Sequence, residues 1–201
     1  MGSLDDSSRI FRYHRDMIAW HGLQSSLALG WRDNYDQQVR FNALAGIADL
    51  NGHSVLDAGC GYADLFPYLK SQYPELTGYH GIEQIPELIE EAISRYSKFS
   101  GVSFSPRNFL AGTLPLTDYV LVSGALNYGS TIPGFIYQAI EHLFKSCKLG
   151  LGFNLLSDIQ DGTLVAYDPT DITAFCLTLT PLVVLKQDYA SNDFTVFLYR
   201  P

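Results

Sequence analysis

Between Ser54 and Leu156 five short apolar runs recur, and three of the intervals between them carry helical spacing. The runs are Ser54–Asp57, Tyr79–Ile82, Val102–Ser105, Asp118–Ser123 and Lys148–Leu156; the helical patterns fill Asp64–Gln72, Pro86–Tyr96 and Phe135–Lys145. Strands so short and apolar are buried on both faces, and the helices between them supply the crossovers that parallel pairing requires. Pro67 and Pro86 fall in first turns, where no intrahelical N–H is lost. The end of the chain breaks the rhythm. After a helix over Asp171–Leu179, the runs Leu182–Gln187 and Phe194–Tyr199 are joined by only about six residues, Asp188–Asp193. A parallel crossover needs roughly a dozen, so these two strands pair antiparallel. The chain is therefore predicted to be α/β, a doubly wound, mostly parallel seven-stranded sheet with an antiparallel C-terminal hairpin.

Ahead of the alternating part, Ser8–Leu29 places Ile10, Phe11, Met17, Ile18, Trp20 and Leu23 at mixed helical spacings. One or two short helices are expected there, broken near Gly22 and Gly30. Another helix is expected over Asp36–Ala48, ended by the turn residues Asp49-Leu50-Asn51-Gly52. At 201 residues the chain reads as one domain, with 1–43 as N-terminal helices and 44–201 as the core.

The totals narrow the function. With 47% hydrophobic and 17% charged residues the chain is globular rather than disordered. A net charge of −8 repels phosphate backbones and anionic membranes, which argues against a nucleic-acid substrate. No apolar run approaches the roughly eighteen residues of a membrane helix, and Met1–Arg15 lacks the apolar stretch of a secretory signal. Cys60, Cys147 and Cys176 have neither metal-ligand spacing nor an even number, and read as reduced thiols of a cytoplasmic protein. His14, His21, His53, His80 and His142 show no metal spacing either. Asp158, Asp161 and Asp168 are dispersed loop carboxylates, read as solvated rather than metal-binding.

The sharpest local feature is Val55-Leu56-Asp57-Ala58-Gly59-Cys60-Gly61-Tyr62-Ala63-Asp64, an apolar strand running through two glycines into a helix. Glycines at the carboxyl end of a first strand let a ligand approach the backbone where open α/β sheets bind ligands. Three readings compete. A dinucleotide site wants a small sixth residue counted from Gly59, and Asp64 puts a carboxylate there beside a pyrophosphate. A purely structural turn is the second reading. A nucleoside ligand without a pyrophosphate is the third, and it matches Asp57, an acid placed to meet a cationic ligand group. Glu83 favours the third: it ends the run Tyr79-His80-Gly81-Ile82 roughly twenty residues beyond the glycines, where a carboxylate accepts from ribose hydroxyls.

With Val55-Leu56-Asp57-Ala58-Gly59-Cys60-Gly61 as a first motif and Gly81-Ile82-Glu83 as a second, residues from about Leu44 to Pro201 resemble the Rossmann-like class I S-adenosylmethionine-dependent methyltransferases. Ala63 stands where many members have a third glycine. The resemblance implies S-adenosyl-L-methionine as cofactor. Gly59, Cys60 and Gly61 would pass beneath its methionine part, and Asp57 would orient its amino group. Glu83 would accept both ribose hydroxyls, and Gln84 would lie against adenine. Asn108-Phe109 sits where the family often has an acid followed by an apolar residue; Asn108 would accept from the adenine amino group through its carbonyl. Ser123-Gly124-Ala125-Leu126-Asn127-Tyr128 follows the fourth strand, where methyl donor and acceptor meet. The N-terminal helices would form a lid, with His14 and His21 as candidate substrate contacts. Trp31, Arg32, Gln37 and Arg40-Phe41 resemble a segment preceding the core in some small bacterial members; Arg40 is read either as a partner for the cofactor carboxylate or as a solvated helix charge.

The activity so implied is methyl transfer to an acceptor, and the small size of the chain points to a small molecule. A non-catalytic cofactor-binding module and a protein or RNA methyltransferase are the alternatives. A base is needed only if the acceptor arrives protonated. No residue is assigned that role from the sequence, and Tyr128 is the leading pocket-lining candidate, against a packing aromatic as the plain alternative.

Overall fold

The computed structural model describes residues 4–23, 25–159 and 163–201. In chain order the elements are α1 (Leu4–His21), a 3-10 turn (Ser26–Leu29), α2 (Asn34–Ala45), β1 (Ser54–Ala58), α3 (Leu65–Gln72), β2 (Gly78–Glu83) and α4 (Pro86–Tyr96). There follow β3 (Val102–Pro106), β4 (Thr117–Val122), α5 (Phe135–Phe144), β5 (Cys147–Leu156), α6 (Pro169–Leu179), β6 (Val183–Lys186) and β7 (Asp193–Tyr199). Every expected strand and helix is present, with ends shifted by a few residues.

The sheet has seven strands in the order β3-β2-β1-β4-β5-β7-β6. β1 pairs parallel with both β2 and β4, β2 with β3, and β4 with β5. β7 runs antiparallel between β5 and β6. The short connection after β6 therefore does what its length requires, and β7 becomes an interior strand. The order turns back at β1 and β4: from β1 the chain winds outward to β3, then returns to lay β4 on the other side of β1. Such a reversal opens a crevice at the carboxyl ends of the two strands.

Alternation along each strand divides the core. Leu56, Val120, Val122, Leu151, Phe153, Val196 and Leu198 point to one face and pack with α5 and α6. Val55, Tyr119, Leu121 and Phe197 point to the other, under α2 and α3. Tyr79 continues this second face and packs with Phe66 of α3 and Ile89 and Ala92 of α4. Period-2 alternation with both faces covered is why these strands read as continuous apolar runs.

Helix starts obey local chemistry. The Asp33 side chain accepts from the Asp36 N–H and caps α2. Pro86 lies in the first turn of α4. Asp168 is exposed, as expected of a solvated carboxylate, and also caps α6 by accepting from the Thr170 N–H at 2.7 Å, with Pro169 following it. Asp158 is exposed, Asp161 lies outside the described residues, and no cluster of metal-ligating side chains occurs among the described residues. Nor is any described helix long and apolar enough to cross a membrane.

Candidate active site

The glycine turn leaves β1 at the crevice. The N–H groups of Gly59 and Cys60 both donate to the Ile82 carbonyl, at 2.8 and 3.0 Å, which ties the turn to the end of β2. Gly59 has φ +78, and a Cβ there would lie 2.3 Å from the Ala125 Cβ in the loop after β4. Left-handed backbone costs a side chain about 1–2 kcal/mol, and overpacking adds about 1–3. Gly59→Ala is therefore expected to lower stability by about 2–5 kcal/mol, read as a lower urea midpoint with an unchanged m-value.

Two carboxylates lie under this turn. Asp57 is 2% exposed and accepts a hydrogen bond from the Tyr79 hydroxyl. Burial pushes its carboxyl up to about 7; the Tyr79 hydrogen bond opposes this, and the charges of Glu83 and Asp64 add to it. Glu83 is 7% exposed. Its Oε1 accepts from the N–H groups of Gln84 and Ile85 at 2.7 and 2.8 Å, and its Oε2 from Gly61 N–H at 3.1 Å. Burial raises Glu83 too, and the three N–H groups offset only part of the rise. Neither acid has an ion-pair partner among the described residues. Two buried acids without a cation make a region of negative potential at the floor of the cavity.

Asp57, Gly59, Cys60, Gly61, Glu83, Gln84, Asn108, Phe109, Ser123, Gly124 and Tyr128 all border one cavity. Some of them have tasks within the protein. The Asn108 side-chain oxygen accepts from Leu110 N–H at 2.8 Å, so it shapes its own loop. Ser123 Oγ donates to Asn154 Oδ1 at 3.2 Å. Trp31 closes over Gly124, where a Cβ would lie 3.0 Å from the indole edge. The Cys60 thiol is pushed well up, by burial first and then by the charges of Asp57 and Glu83, so it is a packing group rather than a nucleophile.

The roof comes from the N-terminal helix and two loops. Asp6 of α1 accepts from Ser130 Oγ at 2.7 Å and Thr131 N–H at 3.0 Å. Arg9 donates to Asp6 and to the Gly129 carbonyl, both at 2.9 Å. His14 Nε2 lies 2.8 Å from the Tyr128 hydroxyl. The same loop is joined to the segment after β5: Val165 N–H donates to Asn127 O at 2.7 Å, and Asn127 Nδ2 to Val165 O at 3.0 Å. Sequence reasoning did not find Asp6 or Arg9 as roof residues. The loop groups they hold, at Gly129, Ser130 and Thr131, lie more than a hundred positions away, and no local pattern marks them.

Arg40 is not a solvated helix charge. It is 4% exposed, pairs with Asp36 at 2.6 Å and Asp193 at 2.5 Å, and stacks on the Trp31 ring. Burial lowers its affinity for the proton, but the two carboxylates outweigh burial and raise it. The carboxylates respond differently. Burial would raise Asp36, yet Arg32 and Arg40 together hold it below the usual range. Burial does raise Asp193, because Arg40 and Tyr189 offset it only in part. Arg40 also borders the cavity. His80, expected to pack, sits between Ser103 Oγ and Ser105 Oγ at 2.7 and 3.0 Å on β3. His142 lies on α5, on an outer helix as expected.

Neither a protein-family model nor a curated protein matches the sequence. Solved structures do resemble this one along nearly the whole chain. Magnesium protoporphyrin IX methyltransferase from Synechocystis PCC 6803, with bound S-adenosylmethionine, superposes with a TM-score of 0.71 at 15% identity, covering 100% of both chains. The N-methyltransferase NodS from Bradyrhizobium japonicum WM9, with S-adenosylhomocysteine, gives 0.69 at 20% identity, covering 96% of this chain and 99% of that one. Human N-acetylserotonin methyltransferase gives 0.71 at 17% identity, covering 100% of this chain and 60% of that one. The fold is the Rossmann-like fold of class I S-adenosylmethionine-dependent methyltransferases.

Proposed function

We propose that this protein is an S-adenosylmethionine-dependent methyltransferase acting on a small molecule. The observation that carries the proposal is the pair of buried carboxylates Asp57 and Glu83, without a cation partner among the described residues, beneath the Gly59–Gly61 turn. S-adenosylmethionine brings an ammonium, a sulfonium and a ribose diol, the groups such a floor attracts. A pyrophosphate is repelled by the same floor, and by Asp64, which also borders the cavity.

In this reading Gly59, Cys60 and Gly61 bed the methionine part, and Asp57 takes the ammonium. Glu83 keeps its backbone donors and offers its remaining lone pairs to the ribose hydroxyls. Gln84, Asn108 and Phe109 border the adenine, and Ser123 and Gly124 lead toward Tyr128 and the acceptor. The cofactor supplies an activated methyl group; the protein holds donor and acceptor in line and keeps water out. Of the N-terminal segment, α1 forms the cover, a reading supported by its hydrogen bonds to the loop after β4, whereas α2 packs on the sheet with the core. The compartment we infer is the cytoplasm, supported by three buried free thiols, Cys60, Cys147 and Cys176. A small acceptor rather than a nucleic acid agrees with the net charge of −8.

Asp57 makes binding pH-dependent. Its carboxyl is raised from 3.8 to about 7 in the free protein. The stability it contributes is full below its unfolded value and is lost as pH rises through about 7. A bound ammonium reverses this preference, so the cofactor binds the ionised form and expels a proton when it binds below pH 7. Calorimetric affinity for S-adenosylmethionine is expected to weaken by about tenfold per pH unit below Asp57's free value and to level off above it. Asp57→Asn should bind more weakly and show a flat profile. A folded protein that binds neither S-adenosylmethionine nor S-adenosylhomocysteine at any pH, or binds NAD as well as either, overturns the proposed function.

A further inference from the structure

His14 and Tyr128 meet at the inner surface of the roof, and their hydrogen-bond roles are fixed by what surrounds them. His14 Nδ1 faces the Ala28 carbonyl at 3.4 Å. A carbonyl only accepts, so the proton sits on Nδ1 and Nε2 carries a lone pair. The Tyr128 hydroxyl, 2.8 Å from Nε2, must then be the donor of that bond. Its oxygen keeps its own lone pairs, and Tyr128 borders the cavity. We propose that Tyr128 and His14 form a proton relay that takes the proton from an acidic hydroxyl, so that the reaction is O-methylation of a phenol-type acceptor. This inference rests on the proposed function and assigns the acceptor chemistry of the same site.

The surroundings suit a relay. His14 is 6% exposed and packs against Tyr13 and Tyr128 in a group of mutually tilted rings. Burial lowers the imidazole's affinity for a proton, and the Ala28 carbonyl restores part of it; the favoured neutral ring keeps its Nε2 lone pair turned to the Tyr128 hydroxyl. Burial holds the Tyr128 phenol well above its ordinary value, and Tyr13 and the charge of Glu83 add to this. Tyr128 therefore does not store a negative charge but passes a proton through. The charges of α1 near the pair are themselves matched, Asp6 with Arg9 and Arg15 with Glu87. Ile10, Phe135, Leu156 and Leu164 give the cavity apolar walls for a flat ring.

The step balances. A lone pair of the acceptor oxygen forms the new bond to the methyl carbon, the methyl–sulfur bond breaks, and its electron pair stays on sulfur as a neutral thioether. The hydroxyl proton moves to Tyr128 Oη while the Tyr128 proton moves to His14 Nε2. The imidazolium returns its proton to water when the roof opens. A relay matters for a hydroxyl because its nucleophilicity depends on losing the proton in the transition state. A carboxylate arrives ionised, and an amine attacks through its own lone pair.

The test uses the full chain and methyl-labelled S-adenosylmethionine at pH 8 with four probes: 4-ethylphenol, 4-nitrophenol, benzylamine and benzoate. Label is expected in the phenols. Tyr128→Phe and His14→Gln should slow transfer to 4-ethylphenol by about 100-fold, and by only a few-fold to 4-nitrophenol, which is already ionised. S-adenosylhomocysteine affinity, measured by calorimetry, should stay at the wild-type level and so certify the folded cofactor site. Equal losses with both phenols, label in benzylamine or benzoate instead, or label in none of the four overturns the relay. Failure of the wild-type protein to bind the cofactor brings down the proposed function itself. Nitrogen NMR of His14 in the S-adenosylhomocysteine complex gives a reading without turnover. A neutral Nδ1–H ring is expected at pH 7, and an Nε2–H ring overturns the proposal because Tyr128 would then accept.

Discussion

Glu83→Ala is expected to weaken S-adenosylmethionine binding by at least about 100-fold, since hydrogen bonds to a charged acceptor contribute about 1.5–3 kcal/mol each and the ribose offers two. The effect does not stop at the ligand. The same carboxylate accepts from the N–H groups of Gly61, Gln84 and Ile85. Removing it strands three backbone donors at the junction of the glycine turn and α4, and the free protein should lose about 2–4 kcal/mol where those donors cannot reach water. Glu83→Gln separates the two roles in part: its amide oxygen can keep the Gln84 and Ile85 N–H groups, whereas the Gly61 N–H loses its acceptor and the charge is gone. Calorimetry and urea unfolding on both variants make the comparison. Wild-type affinity in folded Glu83→Ala would remove the ribose assignment.

Arg40→Met should produce the largest loss of stability, about 3–5 kcal/mol, because it leaves buried acids uncompensated. Asp193 suffers more than Asp36, which keeps Arg32 at 2.8 Å. Asp193 has Tyr189 and is already raised by burial despite Arg40. Without the guanidinium it should rise further, so the variant loses stability as pH climbs through the new value. Adding Asp193→Asn should recover most of the loss. If the single variant unfolds at the wild-type denaturant midpoint, the buried cluster is not the support described.

The architecture was legible because its signals are local and repeated. Each strand interior is a short apolar run, and the antiparallel end followed from the few residues between β6 and β7. The glycine turn and Glu83 were legible for the same reason, being tied to strand ends at a readable offset. Ala63 was read as a stand-in for a third glycine, and its φ of +59 shows what that position demands of the backbone. The remainder depends on separation in sequence. Nothing near Arg40 announces Asp193, 153 residues away, so a helix charge reads as solvated. The His14–Tyr128 bond spans 114 residues, and the Asp6–Thr131 bond 125. Asp57's partner Tyr79 sits one strand over, where an aromatic in a core run gives no hint of a hydroxyl aimed at an acid. Asp168 was a missed local signal: an acid directly before a proline at a helix start is a cap.

The interior position of β7 has a consequence for how the protein comes into being. A ribosome delivers β1 to β5 first, and those strands can begin to pair as they emerge, but the slot between β5 and β6 stays empty until the residues from Asp193 onward are free. Asp193 also supplies the carboxylate that fixes Arg40 at the wall of the cavity. During synthesis the chain thus passes through a stage with an unpaired β5 edge and an unfinished pocket, a stage prone to association with other chains. A nascent chain stalled before β7 therefore carries a bare β5 edge and an Arg40 that has lost one of its two carboxylates.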